Sequence, residues 1–249
     1  MPASTTVTGM VLSAMPVGEY DKRVVLLTKE LGKISAFAKG ARKPNSALLA
    51  CSQPFSFGEF SIYSGRSSYT VVSADISNYF PELREDIKSV YYGMYFCEFA
   101  EYITKENNDE KEILKLLYQS LRALAKKTIE FPLIRVIFEF KIIALSGMAP
   151  QVFECVKCER TSEKYYFSTD CGGLLCENCS GFDRKALRLN TSSVYTLQYI
   201  LSRDVEKLYT FRVSNEVLNE LVECAEDYLN HYLGHTFKSV ELIRSLSDF

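Results

Sequence analysis

From the amino terminus to about Pro81, apolar and polar positions alternate in short runs; beyond it the period lengthens to that of helices. The runs at 9–15, 22–28, 33–39, 58–64 and 68–74 are rich in Val, Ile, Phe, Tyr and Ser/Thr. Turn formers separate them: Pro16 with Gly18, Gly32, Gly40 with Pro44, and Gly65. In the third run Ile34, Ala36 and Ala38 share one face, while Lys33, Ser35, Phe37 and Lys39 share the other. Five strands in so short a stretch suit a small closed barrel, and the oligonucleotide-binding (OB) barrel is the commonest five-stranded candidate.

Beyond Pro81 the pattern predicts helices. Pro81 suits a first helical position, with Glu82, Glu85 and Asp86 in the opening turns, where carboxylates complement the dipole. Asp109 and Glu112 have the spacing of a capping box for a helix running to about Lys127. Pro132 opens a third, with Ile134, Ile137, Phe138, Lys141 and Ile142 at helical spacing and Gly147 at its close. Ser214 begins a fourth, whose stripe of Leu218, Leu221, Val222, Ala225, Tyr228, Leu229 and Tyr232 ends at Gly234. Between Pro150 and about Phe182 the helical pattern fails. That stretch holds five of the eight cysteines and is broken by Gly172, Gly173 and Gly181. The expectation is an α+β protein: an OB barrel over residues 1–80, and an α-helical domain over 81–249 carrying an inserted four-cysteine module at about 150–182.

Composition narrows the class. With 47% apolar and 24% charged residues the chain has ordinary globular usage, which excludes disorder, collagen and coiled coils. No apolar run approaches the roughly 18–20 residues that cross a bilayer. The segment Met1 to Met15 has neither a basic stretch nor a long apolar core, so no secretory signal is expected and a cytoplasmic protein is. The net charge of −2 hides an asymmetry. Residues 1–80 carry eight Lys/Arg against five Asp/Glu, a balance of +3, and residues 81–249 carry 21 against 26, a balance of −5. No acidic residue occurs from Leu31 to Gly58. A locally basic segment on an acidic body is the footprint of a polyanion site.

The cysteines carry the sharpest chemical signal. Cys155-Val-Lys-Cys158 and Cys176-Glu-Asn-Cys179 are two closely spaced pairs, and the interval between them falls inside the window for a zinc site. Two-residue spacing lets both sulfurs of one tight turn reach an ion, and two such turns complete a tetrahedron. Tyr165, Tyr166 and Phe167 fit a hairpin carrying the second turn. Four thiolates leave no open coordination position, so one structural Zn2+ is expected. Disulfides or free thiols are the alternative, and Cys171 is a rival ligand at an unfavourable spacing of five from Cys176. Cys51, Cys97 and Cys224 read as core residues.

Lys39, Arg42 and Lys43 sit in a glycine- and proline-broken loop after a barrel strand, and Lys22, Arg23, Lys33 and Arg66 extend the candidate surface. Such cations neutralise phosphates and release condensed counterions. Phe37, Tyr63 and Tyr69 are candidates to stack bases. The plainer alternative is that loop lysines only solvate a surface and barrel aromatics fill a core. His231 and His235 read as surface residues near a helix end. No nucleophile elbow, Walker loop or dinucleotide fingerprint occurs, so a non-catalytic protein is expected.

These residues resemble the RecO family of bacterial recombination mediators. The resemblance rests on Gly18-Glu-Tyr-Asp-Lys22, Leu31-Gly-Lys-Ile-Ser35, Ala38-Lys-Gly-Ala-Arg-Lys-Pro44, Gln53-Pro-Phe55, Phe80-Pro-Glu-Leu-Arg84, Phe138-Glu-Phe-Lys141, Gly147-Met-Ala-Pro150, both cysteine pairs and Tyr232-Leu-Gly-His235. It implies a protein that binds single- and double-stranded DNA and anneals complementary strands. It also implies partnership with RecR in loading RecA onto DNA coated by single-strand binding protein (SSB), near the nucleoid. The family's DNA face matches Lys39, Arg42 and Lys43 by motif. Lys115, Arg122, Lys126 and Arg135 are expected to receive the acidic SSB tail. The competing expectation is a zinc-containing interaction scaffold that does not touch DNA.

Overall fold

The computed structural model describes residues 4–65 and 68–245. Five strands close a barrel: β1 (Thr5–Val17), β2 (Asp21–Thr28), β3 (Gly32–Ala38), β4 (Phe57–Ser64) and β5 (Tyr69–Asn78). Their order around the wall is β1-β2-β3-β5-β4, with β3 and β5 parallel and the other pairs antiparallel. A short helix, α1 (Leu48–Cys51), lies between β3 and β4. This is the OB architecture read from the alternation. β1 is longer than the sequence run because it pairs with β4 through its first half and with β2 over its whole second half, bending at an irregularity between Val11 and Ser13. Inward positions fill the barrel: Val7 and Val11, Val24 and Leu26, Ile34, Ala36 and Ala38, Phe60, Ile62 and Val71.

The chain divides into two compact units, residues 1–125 with 237–249 and residues 126–236, so the change from strands to helices near Pro81 lies inside the first. That unit adds α2 (Pro81–Arg84), α3 (Ile87–Ile103), α4 (Lys111–Lys126, which ends at the division) and α8 (Lys238–Ser245) to the barrel. Pro81 opens α2 as expected, but Asp86 caps a separate helix, its carboxylate accepting the Lys88 and Ser89 N–H groups at the start of α3. The expected capping box is displaced. Asp109 accepts the Lys111 N–H, and Glu112 pairs instead with Lys115. α8 is held by a distant residue, the Glu98 carboxylate accepting N–H from Lys238 and Ser239, and the preceding Phe237 ring packs on Tyr95, Phe99 and Tyr102. Gly32 is required where it stands. Its φ is +64°, and a Cβ there would lie 2.4 Å from the Lys105 carbonyl oxygen, in the segment that bridges back to the β2–β3 turn.

The second unit is built around α5 (Phe131–Leu145), mostly apolar and almost wholly buried, with α6 (Thr191–Ser202) and α7 (Asn215–Leu233) against it. Pro132 lies in the first turn of α5, Ser214 caps α7 through the Val217 N–H, and Gly234 ends α7 in a left-handed conformation. Lys141, buried on α5, donates to the Leu201 and Arg203 carbonyls at the end of α6, a cation at a helix carboxyl terminus. A three-stranded sheet, β7-β6-β8, completes the unit from β6 (Tyr165–Ser168), β7 (Gly173–Cys176) and β8 (Leu187–Leu189), with a 3-10 helix at Glu177–Phe182.

Candidate metal centre and candidate nucleic-acid interface

β6 and β7 form the hairpin expected from Tyr165-Tyr-Phe167, in register Tyr165↔Cys176 through Ser168↔Gly173. Cys176 therefore ends β7, and Cys179 follows in the 3-10 helix. The other pair occupies a turn locked to the same hairpin: the Val156 N–H donates to the Leu174 carbonyl, and the Glu159 N–H to the Cys155 carbonyl. The sulfurs of Cys155, Cys158, Cys176 and Cys179 all lie within 4.8 Å of one another, with Cys158 and Cys176 3.7 Å apart. A tetrahedron of thiolates at about 2.3 Å from zinc has edges of about 3.8 Å. The donor set and its spacing fit that ion, and the four cysteines can hold a metal. Burial pushes the Cys155 thiol up, but N–H groups of Cys176, Lys157 and Cys158 aimed at its sulfur outweigh this and hold it at about 6. Cys179 goes the other way, to about 12, chiefly through its hydrogen bond with Cys176. Four sulfurs this close cannot all ionise without a cation among them. Cys171 packs beside the cluster without joining it. Cys97 and Cys224 are buried core thiols raised by desolvation, and Cys51 lies in the barrel core.

The second candidate site is assembled from two turns at one end of the barrel. After β3 the chain passes through Gly40, at φ +65°, whose N–H donates to Asp21 Oδ1 at 2.7 Å. The Arg42 N–H donates to the Tyr20 carbonyl at 2.8 Å and its guanidinium to the Gly18 carbonyl at 3.2 Å. The loop holding Lys39, Arg42 and Lys43 is thus bound to the β1–β2 turn, and all three side chains are exposed. Asp21, the first residue of β2, is engaged by the loop's own backbone, while Glu19 in the turn itself is exposed.

The remaining sequence candidates separate. Arg23 is exposed on the outer wall, its Nε donating to Ser35 Oγ at 2.7 Å. Lys33 is half-buried and donates to the Glu101 carbonyl near the end of α3. Lys22 is not a surface cation. It is 9% exposed, its Nζ donates to Ser52 Oγ, and burial pulls its pKa down. The reason is visible in the period of two, which puts Lys22 on the inward face with Val24 and Leu26. Arg66 lies outside the described residues. Of the aromatics, Tyr69 packs against the barrel core, while Phe37 and Tyr63 are half-buried.

The four helical cations form no single set. Arg122 and Lys126 are exposed on α4, and Lys115 pairs with Glu112 at 3.7 Å. Arg135 is 11% exposed and held by Glu139 at 2.7 Å and Glu226 at 3.2 Å. It is an interior ion-pair residue rather than an exposed cation, as its spacing of four from Glu139 on an apolar helix signals. His231 and His235 are exposed and outside the cysteine cluster, as their place near a helix end implies. No helix among the described residues is long and apolar enough to cross a membrane.

Fold and site together define an OB-barrel protein with a helical body and a four-cysteine module that can hold a metal. Residues 1–80 match the family description Recombination protein O N terminal, and residues 84–241 match Recombination protein O C terminal. The chain is 36% identical over 240 residues to the DNA repair protein RecO of Alkaliphilus metalliredigens, covering 96% of this chain and 98% of that protein. It is 33% identical to the DNA repair protein RecO of Acetivibrio thermocellus and 32% to that of Bacillus pumilus, each over 96% of this chain and over 95% and 93% of those proteins. This chain belongs to the RecO family, proteins of DNA repair and recombination.

Proposed function

We propose that this protein is a non-catalytic, cytoplasmic, nucleoid-associated mediator of recombinational repair that binds single- and double-stranded DNA through its barrel. The observation that carries this reading is the exposed cation loop of Lys39, Arg42 and Lys43, fixed to the β1–β2 turn by three hydrogen bonds. Cations held this way neutralise phosphates regardless of sequence. Screening the repulsion between two backbones brings complementary strands together, which supports annealing. Partnership with RecR, loading of RecA and capture of the SSB tail extend the reading from family membership, with Arg122 and Lys126 the helical cations left for the tail. Zn2+ fits the four cysteines as a structural crosslink without an open coordination position.

The test combines a mobility shift across salt concentrations with an annealing assay on bare and SSB-coated strands. Binding that weakens steeply with salt and faster annealing support the reading. No shift at low salt would leave the interaction scaffold.

A further inference from the structure

We infer that Tyr20 is a stacking platform for unpaired bases, making the cation loop prefer single-stranded DNA over duplex. This deepens the DNA-binding reading and rests on it. None of the aromatics suggested by the sequence stands in the loop assembly; Tyr20 does. It occupies the β1–β2 turn, is 45% exposed, and its carbonyl receives the Arg42 N–H that holds the loop in place. The Lys43 ammonium lies over its ring, 5.5 Å from the centroid. The ring and the Lys43 cation are thus brought together by two turns hydrogen-bonded to each other, before any ligand arrives.

Two exposed aliphatic side chains precede the turn along β1, paired with Arg23 and Asp21 of β2. Met15 and Val17 are 64% and 38% exposed and share a face of β1 leading into the same turn. An exposed ring and two exposed aliphatic chains beside three cations complement a ligand that is both anionic and flat. Single-stranded DNA offers phosphates and accessible base faces; duplex DNA keeps its faces stacked internally. Glu19 beside the phenol raises the Tyr20 pKa above its ordinary value, so the ring stays neutral.

The experiment measures fluorescence anisotropy of the full chain with three labelled probes of equal length: oligothymidylate, a duplex, and an abasic phosphodiester strand. Wild type is compared with Tyr20→Ala and Tyr20→Phe. The expected result is that Tyr20→Ala lowers the ratio of single-strand to duplex affinity about tenfold, while Tyr20→Phe keeps it within about twofold. On the abasic strand, with no base to stack, Tyr20→Ala and wild type bind alike. Equal loss on all three probes, an unchanged ratio, or a Phe variant as impaired as the Ala variant overturns the inference. Failure of the underlying reading looks different, because wild type itself would then bind no probe at low salt.

Discussion

The cysteine centre and the cation loop, one in each compact unit, achieve order by opposite means. The cysteine centre is local in sequence: all four ligands lie between Cys155 and Cys179 and converge through one hairpin and one turn. Its sulfurs are adjacent because the β6–β7 register places Cys176 opposite Tyr165, and a metal ion held there would resolve the electrostatic conflict that proximity creates. The cation loop has no such ligand to organise it. Its order comes from neutral backbone carbonyls and one carboxylate, Asp21, while its charges point to solvent. The four thiols converge on one another, whereas the loop keeps its charges turned outward.

That contrast predicts where damage will be felt. The largest effect is expected from Cys176→Ser or from chelation. Loss of a structural ion should cost more than about 5 kcal/mol of apparent stability in the second unit, read by thermal unfolding together with loss of one metal per chain by atomic emission. DNA affinity of the still-folded barrel should change by less than about twofold. A metal-free, equally stable protein would break the comparison.

Arg135→Ala comes next. It strips the buried Glu139 of its guanidinium partner and should cost about 3–5 kcal/mol in urea denaturation. Replacing Arg135 and Glu139 together by Met and Leu should restore most of that, since packed apolar side chains then stand where a buried ion pair did. The smallest effect is expected in the first unit. Glu98→Ala removes the cap of α8 and should cost about 1–2 kcal/mol by the same measurement, with metal content unchanged.

How far each region is legible in the sequence follows the same division. Strand positions are readable because β-branched runs are punctuated by Gly18, Gly32 and Gly40, and the cysteine ligands because their spacing alone dictates the chemistry. The full length of β1 is not, because a bend that lets one strand pair on two sides leaves no period of its own. α6 is hidden although Asn190 caps it through the Ser193 N–H, because the Thr-Ser-Ser opening reads as a loop. α8 is hidden because its placement depends on Glu98, about 140 residues away. Lys22 and Arg135 pass for surface cations when charge is weighed above periodicity. Tyr20 gives no signal by itself; it becomes prominent only when folding brings Lys43 over its ring.

The central claim is that Lys39, Arg42 and Lys43 form the phosphate-binding surface, and the salt dependence of duplex affinity tests it most directly. For the triple Lys39→Ala/Arg42→Ala/Lys43→Ala variant, the slope of log affinity against log salt should fall by about 2.7, about 0.9 for each phosphate no longer neutralised. The loss should be the same on unrelated sequences. Lys22→Met, whose charge is buried under Ser52, should stay within about twofold of wild type. An unchanged slope in the triple variant, or an equal loss from Lys22→Met, would contradict the account.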